Sequence, residues 1–257
     1  MNASLPAALR PASLACFVTG TDTGVGKTHA SATLLHALRA AGYRAAGMKP
    51  VASGSEWRDG AWHNDDVARL RAAGSVEVAL HETCPFLLRT PCSPHLAAAA
   101  EGARIAPGPI RTAFAALRRQ AEAVVVEGVG GFQVPLHLPD GGDPDGASAG
   151  WDTADLAAML GLPVVLVVGV RLGCLNHAML SAAAVRARGL TLAGWIANRV
   201  DPDMLLAEQN IDTLHRTLGA PCLGELPWQV APADAAARLD LAPLLAAWVQ
   251  AGAAPRP

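Results

Sequence analysis

A glycine-rich turn between a short apolar run and a helix-like segment constrains this chain more than any other feature. Residues 20–28 read GTDTGVGKT, after an apolar run at residues 14–19 and before a segment of helical period at residues 28–41. Such a strand, turn and helix aim backbone N–H groups and a helix N-terminus at phosphate oxygens. The turn therefore predicts an ATP-binding phosphate loop, in which Lys27 reaches the β- and γ-phosphates and the Thr28 hydroxyl binds Mg²⁺.

The loop departs from the usual pattern G-x-x-x-x-G-K-[ST]. Counting back from Lys27 puts Thr21 where the first glycine belongs and leaves Gly20 one residue early. A chance glycine-rich turn is the alternative interpretation. It is disfavoured because the strand, the loop, the Gly-Lys-Thr sequence and the helix all fit a phosphate loop.

Short apolar runs alternate along the chain with longer segments of helical period. The runs occupy residues 14–19, 123–126, 164–168 and 192–197, with a weaker one at 43–48. The helical segments occupy residues 28–41, 110–122, 175–188 and 204–218. This rhythm predicts an α/β fold of the P-loop NTPase type, a doubly wound and mostly parallel sheet with helices on both faces. Binding sites are then expected at the carboxyl ends of the strands.

The boundaries of the folded region follow from the same pattern. We expect a single P-loop α/β domain over residues 14–250, between a flexible leader at residues 1–13 and a flexible tail at residues 251–257. Two stretches rich in glycine and polar residues show no period. The stretch at residues 53–64 is expected to order on ligand binding, and the one at about 139–150 to be a mobile insertion.

Charge and cysteine content exclude several classes of protein. The net charge is −2 and the basic residues are scattered, which argues against a nucleic-acid partner. The five cysteines show no C-x-x-C spacing and are odd in number, which favours reduced thiols in a cytoplasmic protein. The longest charge-free apolar run, residues 156–170, is too short to span a membrane and is interrupted by Gly-Leu-Pro, so we divide it between a helix end and a buried strand. A small-molecule ligand is expected, with no membrane partner.

A lysine and a carboxylate follow two of the apolar runs. Lys49 ends the weaker run, and Pro50 after it stops a helix from continuing. A solvated surface lysine is the alternative, but Ser53 and its neighbours supply hydroxyls and a flexible turn that suit a polar substrate. Glu127 ends the run VVVE, and a carboxylate at a buried strand end needs a partner.

These groups together predict a magnesium site. Thr28 and Glu127, with either Asp65 or Asp66, would complete the oxygen shell of a hard cation. The residues just after Glu127 are glycine-rich and let the backbone approach a ligand. Either acid, like Asn64 before them, could instead cap the helix that follows.

Further candidates lie downstream at other strand ends. Residues 168–180, VGVRLGCLNHAML, turn from a strand into a helix whose first N–H groups suit a carboxylate. Asn176 and His177 there are interpreted as caps or core residues, and a catalytic role for His177 is disfavoured because no acid or nucleophile lies beside it in the sequence. Asn198 ends the strand GWIAN, and its amide offers a donor and an acceptor that suit a purine edge. LGELPW at residues 223–228 follows another short strand at the same expected edge.

Taken together, these segments closely resemble the dethiobiotin synthetase family. The matching runs, in order from about residue 16 to about residue 228, are FVTGTDTGVGKT, AGMKPVASGSE, TPCSPH, VVEGVGG, LPVVLVVGVRLGCLNHAML, LAGWIAN and LGELPW. The resemblance implies that 7,8-diaminononanoate, CO₂ and ATP are converted to dethiobiotin, ADP and phosphate. It also implies a carbamate and a carbamic-phosphoric mixed anhydride as intermediates.

The resemblance implies roles for the matching residues. Lys27 and Lys49 are implied as catalytic, and Thr28, Asp66 and Glu127 as magnesium ligands. The implied ATP-binding residues are Gly24, Val25, Gly26, Lys27, Thr28, His29, Asp66, Glu127, Gly128, Val129, Gly130, Asn198, Arg199, Pro227, Trp228, Gln229 and Asp234. The implied substrate-binding residues are Thr23, Lys49, Ser53, Gly173, Cys174, Leu175 and Asn176. A homodimer is also implied, with the carboxylate tail of the substrate held across the interface by residues 173–176.

The chain departs from the family pattern in three places, and two other kinds of ATP-binding protein are disfavoured. Arg199 replaces an acidic residue common after this asparagine, Gln229 replaces an apolar residue, and the insertion at about 139–150 is longer than usual. An amide ligase of the cobyrinate type would need a glutaminase domain, for which we expect no room. A partitioning ATPase would place a second lysine early in the loop, where this chain has Asp22, and would usually add a basic or amphipathic tail.

Overall fold

The structure is a computed structural model that describes residues 14–139 and 150–253. The predicted leader at residues 1–13 lies outside the described residues. So do residues 140–149 of the predicted insertion and residues 254–257 of the predicted tail. The last helix runs to Ala253, beyond residue 250 at which the sequence predicted the domain to end.

The described residues form twelve strands, ten α-helices and one short 3₁₀ helix at Ala236–Arg238. The strands are β1 Leu14–Gly20, β2 Ala45–Met48, β3 Val51–Ala52, β4 Glu56–Arg58, β5 Ala61–His63, β6 Phe86–Leu87, β7 Ala123–Glu127, β8 Pro135–His137, β9 Trp151–Asp152, β10 Val164–Val170, β11 Leu192–Arg199 and β12 Cys222–Leu226. The helices are α1 Lys27–Ala40, α2 Asp65–Ala73, α3 Leu80–Thr83, α4 Pro94–Ala100, α5 Pro107–Gln120, α6 Thr153–Leu160, α7 Cys174–Ala187, α8 Ala207–Thr217, α9 Pro232–Ala235 and α10 Ala242–Ala253.

Six strands form the central sheet, in the order β12-β11-β10-β1-β7-β2. Every neighbouring pair is parallel. The chain leaves β1 toward β2 and β7 on one side and later crosses to β10, β11 and β12 on the other. The carboxyl end of β1 is therefore a switch point of a doubly wound sheet, where ligands bind in open α/β folds. The predicted fold class is confirmed.

Both faces of the sheet are covered, which is why its strands are continuously apolar. Leu14, Cys16 and Val18 of β1 pack on one face with α1, α2, α9 and α10. Phe17 points to the opposite face and packs with residues from α4 to α8. Side chains alternate between faces along a strand, so two covered faces require an apolar residue at every position.

The predicted helices and strands form with small shifts at their ends. The four predicted helical segments correspond to α1, α5, α7 and α8, with no end moved by more than three residues. The run at residues 156–170 divides as predicted. It contains the end of α6, which is capped by Gly161, and the buried strand β10. Residues 222–226 are themselves the strand β12, so the interpretation that residues 223–228 follow a strand was wrong.

Residues 53–64 are more regular than the sequence predicted. They contain an antiparallel hairpin of β4 and β5, in which Trp57 lies opposite Trp62 with ring centroids 5.3 Å apart. Asp59 and Gly60 have φ angles of 51° and 79°, as a two-residue type I′ hairpin turn requires. The Asp-Gly pair between two tryptophans was the local signal for this hairpin.

All five cysteines lie in the described part of the chain and are free. Among the described residues, none of the helices combines the length and the apolar character needed to cross a bilayer.

Candidate active site

The glycine-rich loop leaves the sheet at its switch point. β1 ends at Gly20 and α1 begins at Lys27. The Asn198 side chain, at the end of β11, donates a hydrogen bond of 2.9 Å to the Val25 carbonyl. Gly26 has a φ of 81°, and a Cβ at this position would lie 2.0 Å from Asn198 Nδ2. The loop conformation therefore depends on glycine at residue 26 and on the amide of Asn198.

Lys27 is a buried cation with a weak internal partner. Its Nζ donates to the backbone carbonyl of Asp22 at 2.9 Å, and its side chain is 7 % exposed. Burial, together with the Lys49 ammonium nearby, lowers the pKa of Lys27 to about 8. A neutral carbonyl is a weaker partner than an anion, so this ammonium is disposed to bind a phosphate.

Lys49 and Glu127 meet because their strands are neighbours. Met48, the last residue of β2, lies opposite Val126 of β7. The residues that come next are Lys49, just after β2, and Glu127, the last residue of β7. The Lys49 ammonium lies 2.5 Å from Glu127 Oε1 and 3.1 Å from Asp66 Oδ2. Thr28 Oγ1 donates to the same Glu127 oxygen at 2.8 Å. We call these four residues the ionic cluster.

Water reaches little of the Lys49–Glu127 pair, whereas the Asp66 side chain is 42 % exposed. Lys49 is 4 % exposed and Glu127 is fully buried. Burial alone would lower the pKa of Lys49, but the Glu127 and Asp66 carboxylates outweigh it and raise that pKa. Burial alone would raise the pKa of Asp66, but the Lys49 ammonium and the Thr28 hydroxyl hold it below its usual range. Lys49 and Asp66 are therefore both charged at neutral pH.

Burying the ionic cluster costs free energy of folding. Removing a charge from water costs several kcal/mol, and removing one partner of a buried pair typically destabilises a protein by about 3–5 kcal/mol. Glu127 Oε2 is also buried and finds no hydrogen-bond partner among the described residues. An unmatched buried carboxylate oxygen at a strand end indicates a site prepared for a cationic ligand.

Lysine is rare in this chain. The full sequence contains two lysines among its 20 basic residues, Lys27 and Lys49, and both are buried here. All the other basic residues are arginines. The ammonium group is compact and its pKa responds readily to burial, properties that arginine lacks.

The structure distinguishes between the two acids that the sequence left open. Asp66 points at Lys49, whereas Asp65 is exposed and lies 3.7 Å from an Arg58 nitrogen. Asn64 is the N-cap of α2, since its Oδ1 accepts from the Asp66 and Val67 N–H groups. The capping interpretation therefore holds for Asn64, and the interpretation of Lys49 as a surface residue is wrong.

Further predicted residues lie around the glycine-rich loop. Thr23 is exposed beside the loop after β7, and a Cβ on Gly130 would lie 3.8 Å from its hydroxyl. Gly128 is buried against Phe17, whereas Val129 is partly buried. Gly24 is exposed in the loop, and burial, aided by Arg69, lowers the pKa of the His29 imidazole in α1.

Ser53 lies in a turn held by two other segments. Its hydroxyl donates to the Cys92 carbonyl at 2.8 Å, and its own carbonyl accepts from the Asn64 amide at 3.2 Å. The TPCSPH segment recognised in the sequence therefore supports the turn that follows Lys49. The hydroxyl is engaged within the protein, and Ser53 is joined to the N-cap of the helix that carries Asp66.

The turn at residues 173–176 lies at the end of β10. Gly173 is the N-cap of α7, in a left-handed conformation, and Cys174 is buried behind it. Leu175 is partly buried, whereas Asn176 and His177 are exposed on the first turn of α7. The interpretation of Asn176 and His177 as core residues or N-caps is therefore wrong.

The predicted purine-binding residues separate into two groups. Asn198 faces the glycine-rich loop, but the Arg199 guanidinium points to Glu208 and Glu225. Those two carboxylates outweigh the partial burial of Arg199 and raise its pKa. The remaining residues follow β12 on a segment whose helix α9 packs against α1. They are Pro227, which is partly buried, and the exposed residues Trp228, Gln229 and Asp234.

Sequence reasoning missed an ion pair at the glycine-rich loop. The Arg171 guanidinium lies 2.8 Å from the Asp22 carboxylate. Arg171 directly follows β10, and Asp22 follows β1 by two residues, with Gly20 paired to Val167 between these strands. Both residues come shortly after neighbouring strands, and this placement was the signal from which the ion pair could have been predicted.

A parallel sheet whose first strand runs through a Gly-Lys-Thr loop into a helix, with a buried carboxylate on the adjacent strand, defines a P-loop nucleotide-binding protein. The family described as "AAA domain" matches residues 15–234. The ATP-dependent dethiobiotin synthetase BioD of Aromatoleum aromaticum is 56% identical over 222 residues, which cover 86% of this chain and 93% of that protein. The enzyme of the same name from Ralstonia nicotianae is 54% identical, over 92% of this chain and 99% of that protein. The chain belongs to the ATP-dependent dethiobiotin synthetase family.

A ParA family ATPase from Chlorobium tepidum aligns with a TM-score of 0.49 and 14% sequence identity, over 96% of this chain and 95% of that one.

Replacing Gly26 with alanine should destabilise the protein more than the same change at Gly24. Both residues have positive φ angles, so alanine at either costs about 1–2 kcal/mol of conformational energy. A Cβ at residue 24 has nothing within 4 Å, whereas one at residue 26 would displace the Asn198 amide from Val25. We expect a further loss of about 1–3 kcal/mol for Gly26→Ala, measured by urea unfolding. Equal free energies of unfolding for the two variants would contradict the assigned role of Asn198.

The two lysines should differ in reactivity toward an amine acetylating reagent. Because only a neutral amine reacts, the pKa of about 8 makes roughly half of Lys27 reactive at pH 8. Lys49 stays protonated, since its pKa is raised by two carboxylates. Peptide mass spectrometry of the folded protein should show faster acetylation of Lys27, and urea should make the two rates similar. Equal or faster acetylation of Lys49 in the folded protein would refute this charge assignment.

Proposed function

We propose that this protein is an ATP-dependent dethiobiotin synthase, which converts 7,8-diaminononanoate, CO₂ and ATP to dethiobiotin, ADP and phosphate. One amine of the substrate takes up CO₂ as a carbamate, and a carbamate oxygen then takes the γ-phosphoryl group of ATP. The second amine attacks the resulting carbamic-phosphoric anhydride, closes the urea ring and expels phosphate. The observation that carries the proposal is the ionic cluster beside Lys27, in a chain 56% identical to a protein of that name.

The two lysines neutralise the negative charge that the reaction gathers. Lys27 exchanges the Asp22 carbonyl, an uncharged partner at 2.9 Å, for oxygens of the β- and γ-phosphates. Lys49 directs a fixed ammonium at the carbamate and at the transferring phosphoryl group. Its side chain is held by two carboxylates and does not need to reorganise during the reaction. Such fixed charges are the main means of catalysis in phosphoryl transfer.

Thr28, Asp66 and Glu127 would hold Mg²⁺. They offer a hydroxyl and two carboxylates, the hard oxygen donors that this ion prefers, and Glu127 Oε2 finds no partner among the described residues. When bound, the ion would supply positive charge to the phosphate oxygens of ATP. The remaining predicted ATP contacts stay assigned to the glycine-rich loop, the loop after β7, Asn198, Arg199 and residues 227–234.

We further propose a cytoplasmic homodimer in which residues 173–176 hold the carboxylate tail of a substrate bound mainly by the partner. Thr23, Lys49 and Ser53 remain the proposed contacts to its diamine end. Three large apolar side chains on or beside α7 support the dimer, since Leu172 is 91 % exposed, Met179 49 % and Leu180 63 %. Large apolar side chains left exposed along one helix favour its burial against a partner.

A direct assay tests the reaction. The purified protein, incubated with ATP, Mg²⁺, bicarbonate and 7,8-diaminononanoate, should form dethiobiotin and ADP in equal amounts, detected by mass spectrometry. A control that omits the diamino acid should release little ADP, because the phosphoryl acceptor is the carbamate of that acid. Absence of dethiobiotin from protein that binds ATP would reject the proposal.

Replacing Lys49 with alanine should abolish turnover while leaving substantial ATP binding. Loss of one preorganised charge typically lowers kcat by about 100- to 1000-fold. Lys27 and the loop amides, which bind the phosphates, stay in place, so calorimetry should show ATP affinity within about tenfold of the original. The loss of the buried pair with Glu127 should also lower the thermal midpoint. Near-normal turnover in this variant would refute the catalytic role of Lys49.

A further inference from the structure

The Asp22–Arg171 ion pair joins two loops that the proposed reaction uses separately. Asp22 belongs to the glycine-rich loop, and Arg171 begins the turn that leads from β10 to α7. The pair is 2.8 Å long, with side chains 47 % and 41 % exposed. Half-exposed pairs of this kind add little to folding stability. A role in global stability therefore does not account for it.

Asp22 organises its own loop through three acceptor oxygens. One carboxylate oxygen accepts the Thr23 N–H at 2.7 Å, and the other receives the Arg171 guanidinium. Its backbone carbonyl accepts the Lys27 ammonium at 2.9 Å. A shift of Asp22 therefore moves groups proposed to contact both the diamino acid and ATP.

Arg171 is tied in the same way to the second loop. Its backbone carbonyl accepts the Cys174 N–H at 3.0 Å, immediately after the left-handed N-cap Gly173. This contact shapes the first turn of α7. The ion pair thus connects a loop proposed to bind ATP with a turn proposed to bind the carboxylate tail of the diamino acid.

We propose that Arg171 is a positioning residue that couples the binding of ATP to the binding of the diamino acid through Asp22. When either ligand fixes its own loop, the ion pair transmits that order to the other loop, so the second ligand finds its site partly arranged. This inference rests on the proposed function, because it needs both ligands. The coupling is reciprocal, since each ligand must strengthen the binding of the other by the same factor.

The coupling is measured as the ratio of two dissociation constants. Calorimetry with a non-hydrolysable ATP analogue and Mg²⁺, without and then with saturating 7,8-diaminononanoate, should give a ratio of at least about five for the original protein. Arg171→Ala and Asp22→Asn should each bring the ratio close to one, and the double variant should be no worse than either alone. Arg171→Lys keeps the charge and should restore most of the coupling.

Arg188→Ala is the matched control. Arg188 also has a partly exposed guanidinium in an ion pair, here with Asp152 and Asp155, but it follows the C-terminal end of α7, far from the turn at residues 173–176. This variant should keep the original ratio. In Arg171→Ala the thermal midpoint should stay unchanged while the ratio of the two dissociation constants falls close to one. This combination separates positioning from a general structural defect.

The outcomes that overturn the inference are distinct from those that overturn the reaction. A ratio near one in the original protein, an unchanged ratio in Arg171→Ala, or additive effects of the two single variants would each overturn the coupling while dethiobiotin is still formed. Failure of the original protein to form dethiobiotin would overturn the proposed function and the coupling with it.

Discussion

The contact between the Lys49 ammonium and the Glu127 carboxylate, 2.5 Å long and closed off from water, is the constraint around which the site is arranged. Both charges have left water at a cost of several kcal/mol, so each depends on the other and on Asp66 and Thr28. The parallel register of β2 and β7 brings the two strand ends together and makes the contact possible. The sheet topology therefore decides the electrostatics of the site.

Asn198 shows how the rest of the sheet serves the same edge. It lies at the end of β11, two strands away from β1, and its amide donates to the loop that β1 leads into. Its neighbour Arg199 faces the other way and pairs with two carboxylates, because successive strand residues point to opposite sides. One strand end thus supports both the nucleotide loop and a separate surface cluster.

Much of the fold could be predicted from the sequence, because its signals are local. Apolar runs covered on both faces, helical periods and the Gly-Lys-Thr loop each identify an element without knowledge of its neighbours. The β4–β5 hairpin was missed although its Asp-Gly turn is also a local signal, since each strand has three exposed residues and is too short to show a hydrophobic period. The site was predicted as a set of residue types at strand ends, but its hydrogen bonds were not.

The sequence by itself determined the order of the elements, the position of the glycine-rich loop and the family resemblance, since these depend on residues close together in the chain. Only the tertiary structure decided that Asp66 rather than Asp65 faces Lys49, that Asn198 holds Val25, and that Arg171 meets Asp22. The last two contacts join residues more than a hundred positions apart. Their geometry depends on strand order and side-chain direction, which the local pattern of residues does not encode.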